Sequence, residues 1–161
     1  MGTADNKAVL QRIFDEVINR KTLHLADELY AAEHELHPDA GVGRGPEGMK
    51  QAFAGLHEEF PDIHVQIESI VEEGDMVAVR LTFRGTHAPT GEPAVWPEMV
   101  FTRFADGKAV ESWAVTDTGA AGPALRGRRA AAGAGSRPGG AVPQRSSSGA
   151  RAATPDYRRF S

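Results

Sequence analysis

The sequence predicts an α+β fold in which helices come first and a strongly bent antiparallel sheet follows. Three observations carry that expectation. Up to Leu56 the apolar residues recur about every 3.6 positions; from Phe60 onward they alternate with period two; and the alternating runs are separated by turn strings at Glu73-Gly74-Asp75 and Ala105-Asp106-Gly107-Lys108.

Val9, Leu10, Ile13, Phe14, Val17 and Ile18 form the stripe of a first helix that buries one face, with Thr3 or Asp5 as its cap. A second, short helix after Lys21 puts Leu25, Ala26, Leu29 and Tyr30 on one side, with Thr22 as cap. Glu33 to His37 reads as a short strand stopped by Pro38. Gly45-Pro46-Glu47 opens a third helix, because proline suits the first helical position and an acid there complements the dipole. Met49, Ala52, Phe53 and Leu56 give it a buried side. Ile63, Val65 and Ile67 then pair through the first turn with Val77, Val79, Leu81 and Phe83 in a hairpin. Gly85 to Pro93 is a loop, and Val95 to Phe104 and Ala109 to Asp117 are two further strands.

Charge divides the 161 residues sharply. Residues 1–118 hold 10 basic and 21 acidic side chains, a balance of −11, whereas residues 119–161 hold eight arginines and one acid, a balance of +7. The expected organisation is one domain over 1–118 and an Arg/Ala/Gly/Pro-rich tail over 119–161 with too few large apolar groups to order itself. An arginine-only tail suits an acidic surface, but it lacks interleaved aromatics and lysine, so no nucleic-acid partner is expected. No apolar run approaches the roughly 20 residues of a membrane span, and the N-terminus lacks a basic-then-apolar leader. With no cysteine to form disulfides, the expectation is a cytoplasmic protein with no membrane partner.

Several local strings occur in a recognisable order: His37-Pro38-Asp39, Phe60-Pro61-Asp62, Glu73-Gly74-Asp75, Gly85-Thr86-His87, Arg103-Phe104 with Asp106-Gly107-Lys108, and Trp113 with Asp117. On these strings and the element order, the chain resembles the SnoaL-like polyketide cyclases of the nuclear-transport-factor-two-like superfamily over about residues 6–118. The resemblance implies a cone-shaped α+β barrel around an apolar pocket, no cofactor, and a homodimer formed through the exposed sheet face. Two departures stand out. The loop after Gly85-Thr86-His87 is short, and Ser112 stands where many members have histidine before the tryptophan.

Alternation along the last strand puts Glu111, Trp113, Val115 and Asp117 on one face. A carboxylate beside an indole would lose solvation, rise above its free value of about 3.9 and become a better base. The resemblance implies that Asp117 is the general acid/base of an intramolecular aldol ring closure; the alternative is a strand-ending aspartate that bonds the next turn. His37, at the end of the strand over the pocket mouth, is a candidate to bind an enolate oxygen or carry protons, or else a surface histidine before proline. His87 either reaches the pocket or stitches its loop. Glu98 alternates with Trp96 and Val100, so it is a second cavity carboxylate if that face is concave. Phe14, Phe53, Phe83, Trp96 and Trp113 are the expected apolar lining for a flat ligand.

Metal binding is not expected, since His34 and His37 are three apart on a probable strand and face opposite ways. Gly43, Gly45 and Gly48 match a dinucleotide pattern by spacing, but no buried strand precedes them and no phosphate site is expected. The expected activity is cyclisation of an aromatic polyketide or similar polycarbonyl ester. A hydroxylase or isomerase in the same fold, or a binding and dimerisation module, are the alternatives.

Overall fold

The computed structural model describes residues 5–38 and 41–117. Helix α1 (Asn6–Arg12) is capped by Asp5, whose Oδ1 accepts from the Ala8 N–H at 3.2 Å. It continues as a wider π-helical stretch (Ile13–Asn19) in which Ile13, Phe14, Val17 and Ile18 are all buried. A single 3₁₀ turn (Leu23–Leu25) leads to α2 (Ala26–Leu29), and α3 covers Gly45–Glu59. The strands are β1 (Tyr30–His37), β2 (His64–Glu73), β3 (Met76–Thr86), β4 (Pro93–Ala105) and β5 (Lys108–Thr116). The first strand thus begins at Tyr30, which the helical stripe had claimed for α2. The expected tail over 119–161 and the alternative cap Thr3 lie outside the described residues.

One sheet of order β1-β5-β4-β3-β2 results, with β1 parallel to β5 and every other pair antiparallel. The helices cover one face, and the core lies between them and Val65, Val77, Val79, Leu81, Phe83 and Trp96. Two polar devices fix the helices and loops on the sheet. The Asn19 amide acts as a one-residue strand, donating to the Val65 carbonyl at 2.9 Å and accepting from its N–H at 2.8 Å. Asp62 accepts from the Thr86 backbone N–H at 2.6 Å and its hydroxyl at 2.8 Å, joining the Phe-Pro-Asp and Gly-Thr-His strings. Those bonds hold the Asp62 carboxyl below its usual range.

The glycine pattern has a packing cause. Gly48 lies so close to Gly43 that a Cβ there would sit 1.7 Å from the Gly43 carbonyl oxygen, and Gly45 adopts φ +69° with its backbone against Ala32. Among the described residues, no helix is long and apolar enough to cross a membrane.

Candidate active site

The helices and the concave sheet face enclose a cavity of about 800 Å³, within the usual range for small-molecule sites. Leu10, Phe14, Met49 and Phe53 form its helical wall, and Tyr30 and Leu36 contribute from β1. Phe83 and Trp96 stack at 5.3 Å with nearly parallel rings, giving it a flat aromatic side. Phe14, Phe53, Phe83 and Trp96 thus all line this cavity.

Period-two alternation turns Trp96, Glu98, Val100 and Thr102 of β4 toward the cavity, together with Ser112, Ala114 and Thr116 of β5. Their register is informative. Thr102 pairs with Ser112, Val100 with Ala114 and Glu98 with Thr116, so a polar pair, an apolar pair and a second polar pair succeed one another. In the first, the hydroxyl oxygens are 3.0 Å apart. In the second, Thr116 Oγ1 donates to Glu98 Oε2 at 2.7 Å.

Asp117 also lines the cavity, beyond the last residue of β5, and its N–H donates to the Pro97 carbonyl at 3.2 Å. Trp113 does not accompany it. The indole stands on the outer face with Val115, so the expected substrate contact by Trp113 is corrected. Strict alternation fails because Asp117 follows the strand end, where side-chain direction is no longer tied to the pleat. Asp117 is exposed, and the indole expected to desolvate it is on the other side of the sheet.

Trp113 instead stacks on His37, with ring centroids 5.5 Å apart. His37, at the end of β1 and before the cis His37–Pro38 peptide, lines the cavity mouth and places Nε2 2.9 Å from Glu111 Oε1. Glu111 is also paired with Arg103, whose guanidinium is the main reason the carboxyl is held below its usual range. Glu35, His37 and Glu111 bring one ligand atom each to within 4.8 Å of one another. Arg44 pairs with Glu35 as Arg103 does with Glu111, so both carboxylates already carry a cation.

His87 is absent from the cavity wall, so its candidate catalytic role in the pocket is corrected in favour of the loop-stitching alternative. Its Nδ1 lies 2.8 Å from Thr90 Oγ1, its Nε2 is 3.6 Å from Glu59, and its N–H donates to Glu92 across the loop. Its ring packs on Phe60. It stitches the loop after β3. His34 is the polar residue that spacing missed: it is wholly buried, with Nε2 3.0 Å from Ser112 Oγ. In the sequence it stands between Glu33 and Glu35, which gives no sign of burial, and its partner is 78 positions away.

The fold is an α+β cone around an apolar cavity of small-molecule size, with a few polar groups at its mouth and along one strand pair. The chain belongs to the SnoaL-like polyketide cyclase family, whose model matches residues 8–125. Among solved structures it is similar to IdmH from Streptomyces antibioticus, a candidate polyketide cyclase, at 28% identity and a TM-score of 0.66, over 76% of this chain and 99% of that one. A candidate polyketide cyclase from Bacillus cereus is 27% identical, with a TM-score of 0.65 over 73% of this chain and 78% of that one. AclR from Streptomyces galilaeus, a candidate hydroxylase, is 26% identical, with a TM-score of 0.62 over 74% and 79% respectively. No curated protein sequence matches the chain.

Proposed function

We propose that the protein is a cyclase that closes a ring in an aromatic polyketide or similar polycarbonyl ester by an intramolecular aldol reaction. The observation that carries this reading is the convergence of Asp117, His37 and Glu98 on one apolar cavity with a flat aromatic wall. Asp117 removes a proton from a carbon between two carbonyls. The enolate carbon attacks a second carbonyl of the same molecule, a C–C bond forms, and the new alkoxide takes the proton back from Asp117. His37 at the mouth, its Nε2 held by Glu111, carries protons between the cavity and solvent. Protons flanked by carbonyls are already acidic, so no cofactor is required, and holding the chain in a reactive fold is worth roughly 7–11 kcal/mol.

Asp117→Asn tests the reading with polycarbonyl substrates. A general base contributes about 10²–10⁴-fold, so turnover should fall by at least a hundredfold while the fold is kept. Unchanged turnover sinks the mechanism. The likeness to AclR favours a second reading, hydroxylation of a similar molecule in the same cavity. Product formation that depends on oxygen and a reductant would select it.

We further propose a homodimer. Met99 and Phe101 of β4 and their register partners Val115 and Trp113 of β5 form one exposed apolar patch on the outer sheet face. A second copy of the same patch covers it by two-fold pairing.

A further inference from the structure

The aldol reading uses the cavity mouth and leaves a second polar station unused. His34, Ser112 and Thr102 are all buried, at 0%, 5% and 1% exposure, and the two hydroxyl residues line the cavity. His34 Nε2 meets Ser112 Oγ at 3.0 Å, and Ser112 Oγ meets Thr102 Oγ1 at 3.0 Å. Among the described residues, His34 Nδ1 is the one buried side-chain nitrogen or oxygen with no hydrogen-bond partner.

That orphan atom fixes the direction of the chain. A buried N–H without an acceptor is rarer and more costly than a bare lone pair, so the hydrogen of the neutral ring sits on Nε2 and donates to Ser112. Burial, with a smaller contribution from His37, pushes the His34 imidazole down to about 4, which keeps it neutral near pH 7. Ser112 and Thr102 then share one hydrogen between their oxygens, and the hydrogen of the other hydroxyl is left over. The remaining side of the pair is the cavity. With the opposite tautomer both hydroxyl hydrogens would be consumed, and the pair could only accept.

We propose that the Ser112–Thr102 hydroxyl pair, polarised by His34, is a subsite that donates a hydrogen bond to a ketone or quinone oxygen of the ligand. The subsite lies four residues along the strand pair from Glu98 and Thr116, a separation of roughly 13 Å at the usual strand rise, with only Val100 and Ala114 between. It therefore selects an elongated, flat ligand with an apolar middle, one carbonyl end at Ser112 and its reacting end at Asp117. The statement of which end reacts rests on the cyclase reading; the subsite itself does not.

The test is equilibrium binding of two unreactive probes, acetylanthracene and ethylanthracene, which differ by the ketone oxygen. Trp96 fluorescence in a Trp113→Phe background reports binding from inside the cavity. Unmodified at the subsite, the protein should prefer the ketone by about tenfold, as expected for one buried hydrogen bond. Either hydroxyl alone keeps a hydrogen free to donate, so the double variant S112A/T102V should reduce the preference to near unity without weakening ethylanthracene, whereas T102V alone should keep it through Ser112. The infrared carbonyl stretch of bound acetylanthracene, lowered by the hydrogen bond, should return toward its free position in S112A/T102V, a change that a merely structural role would not produce. Equal binding of the two probes, or a ketone preference that survives in S112A/T102V, overturns the subsite and leaves the cyclase reading standing. A preference lost in S112A/T102V supports the subsite even if no polycarbonyl substrate is turned over, in which case the cyclase reading alone fails.

Discussion

His37 Nε2 lies 2.9 Å from Oε1 of Glu111, across the parallel junction of β1 and β5. Arg103 keeps Glu111 ionised, and Trp113 supports the imidazole from the outer side. The ring is thus held in one orientation against two residues of the outer sheet face, at the rim of the cavity that His37 lines. Replacing Glu111 by Gln removes the charge that orients it, a loss of about 1 kcal/mol, so turnover should fall about fivefold with the fold unchanged by circular dichroism. Unaltered kcat would separate His37 from the chemistry.

His34 makes stability pH-dependent. Its imidazole titrates at about 4 in the folded protein against 6.5 when free, so the unfolded chain binds the extra proton between those values. Stability from this group is complete above pH 6.5 and is lost as the pH falls toward 4, by up to about 3 kcal/mol. Urea unfolding at pH 7 and pH 4.5 should reveal the loss. In His34→Phe the slope over that window should flatten.

Gly48→Ala places a methyl group against the Gly43 carbonyl oxygen, with backbone on both sides and no flexible side chain to yield. Stability should drop by about 3 kcal/mol, read as a lower urea midpoint. Gly55→Ala, where nothing lies within 4 Å, should be neutral or slightly stabilising, because alanine favours helix.

Phe101 and Val115 lie on the exposed sheet face at 50% and 73% exposure. If that face joins two copies, Phe101→Lys with Val115→Lys should yield a monomer by sedimentation at micromolar concentration, with the domain still folded. A wild type that is already monomeric would remove the dimer.

The fold was legible because the change of period at Phe60 and the Gly-Asp turns are local signals. The inner lining of β3 and β4 followed from the same alternation. Alternation assigns residues to two faces but not which face is inward, and β5 carries apolar groups on both: Ala114 inside, Trp113 and Val115 outside. That ambiguity, together with the end of β5 at Thr116, put the indole on the wrong side of the sheet. His34 was illegible for another reason. Its meaning comes from Ser112 and Thr102, which reach it only after β5 inserts beside β1.

That insertion also orders events during synthesis. β5 is the last strand made, yet it lies between the first strand and the fourth and hydrogen-bonds to both. A nascent chain halted near residue 105 holds the residues of every described helix and of the other four described strands, but not the strand that pairs β1 with β4. The described sheet is complete, and the cavity wall has Ser112, Thr116 and Asp117, only once β5 has left the ribosome.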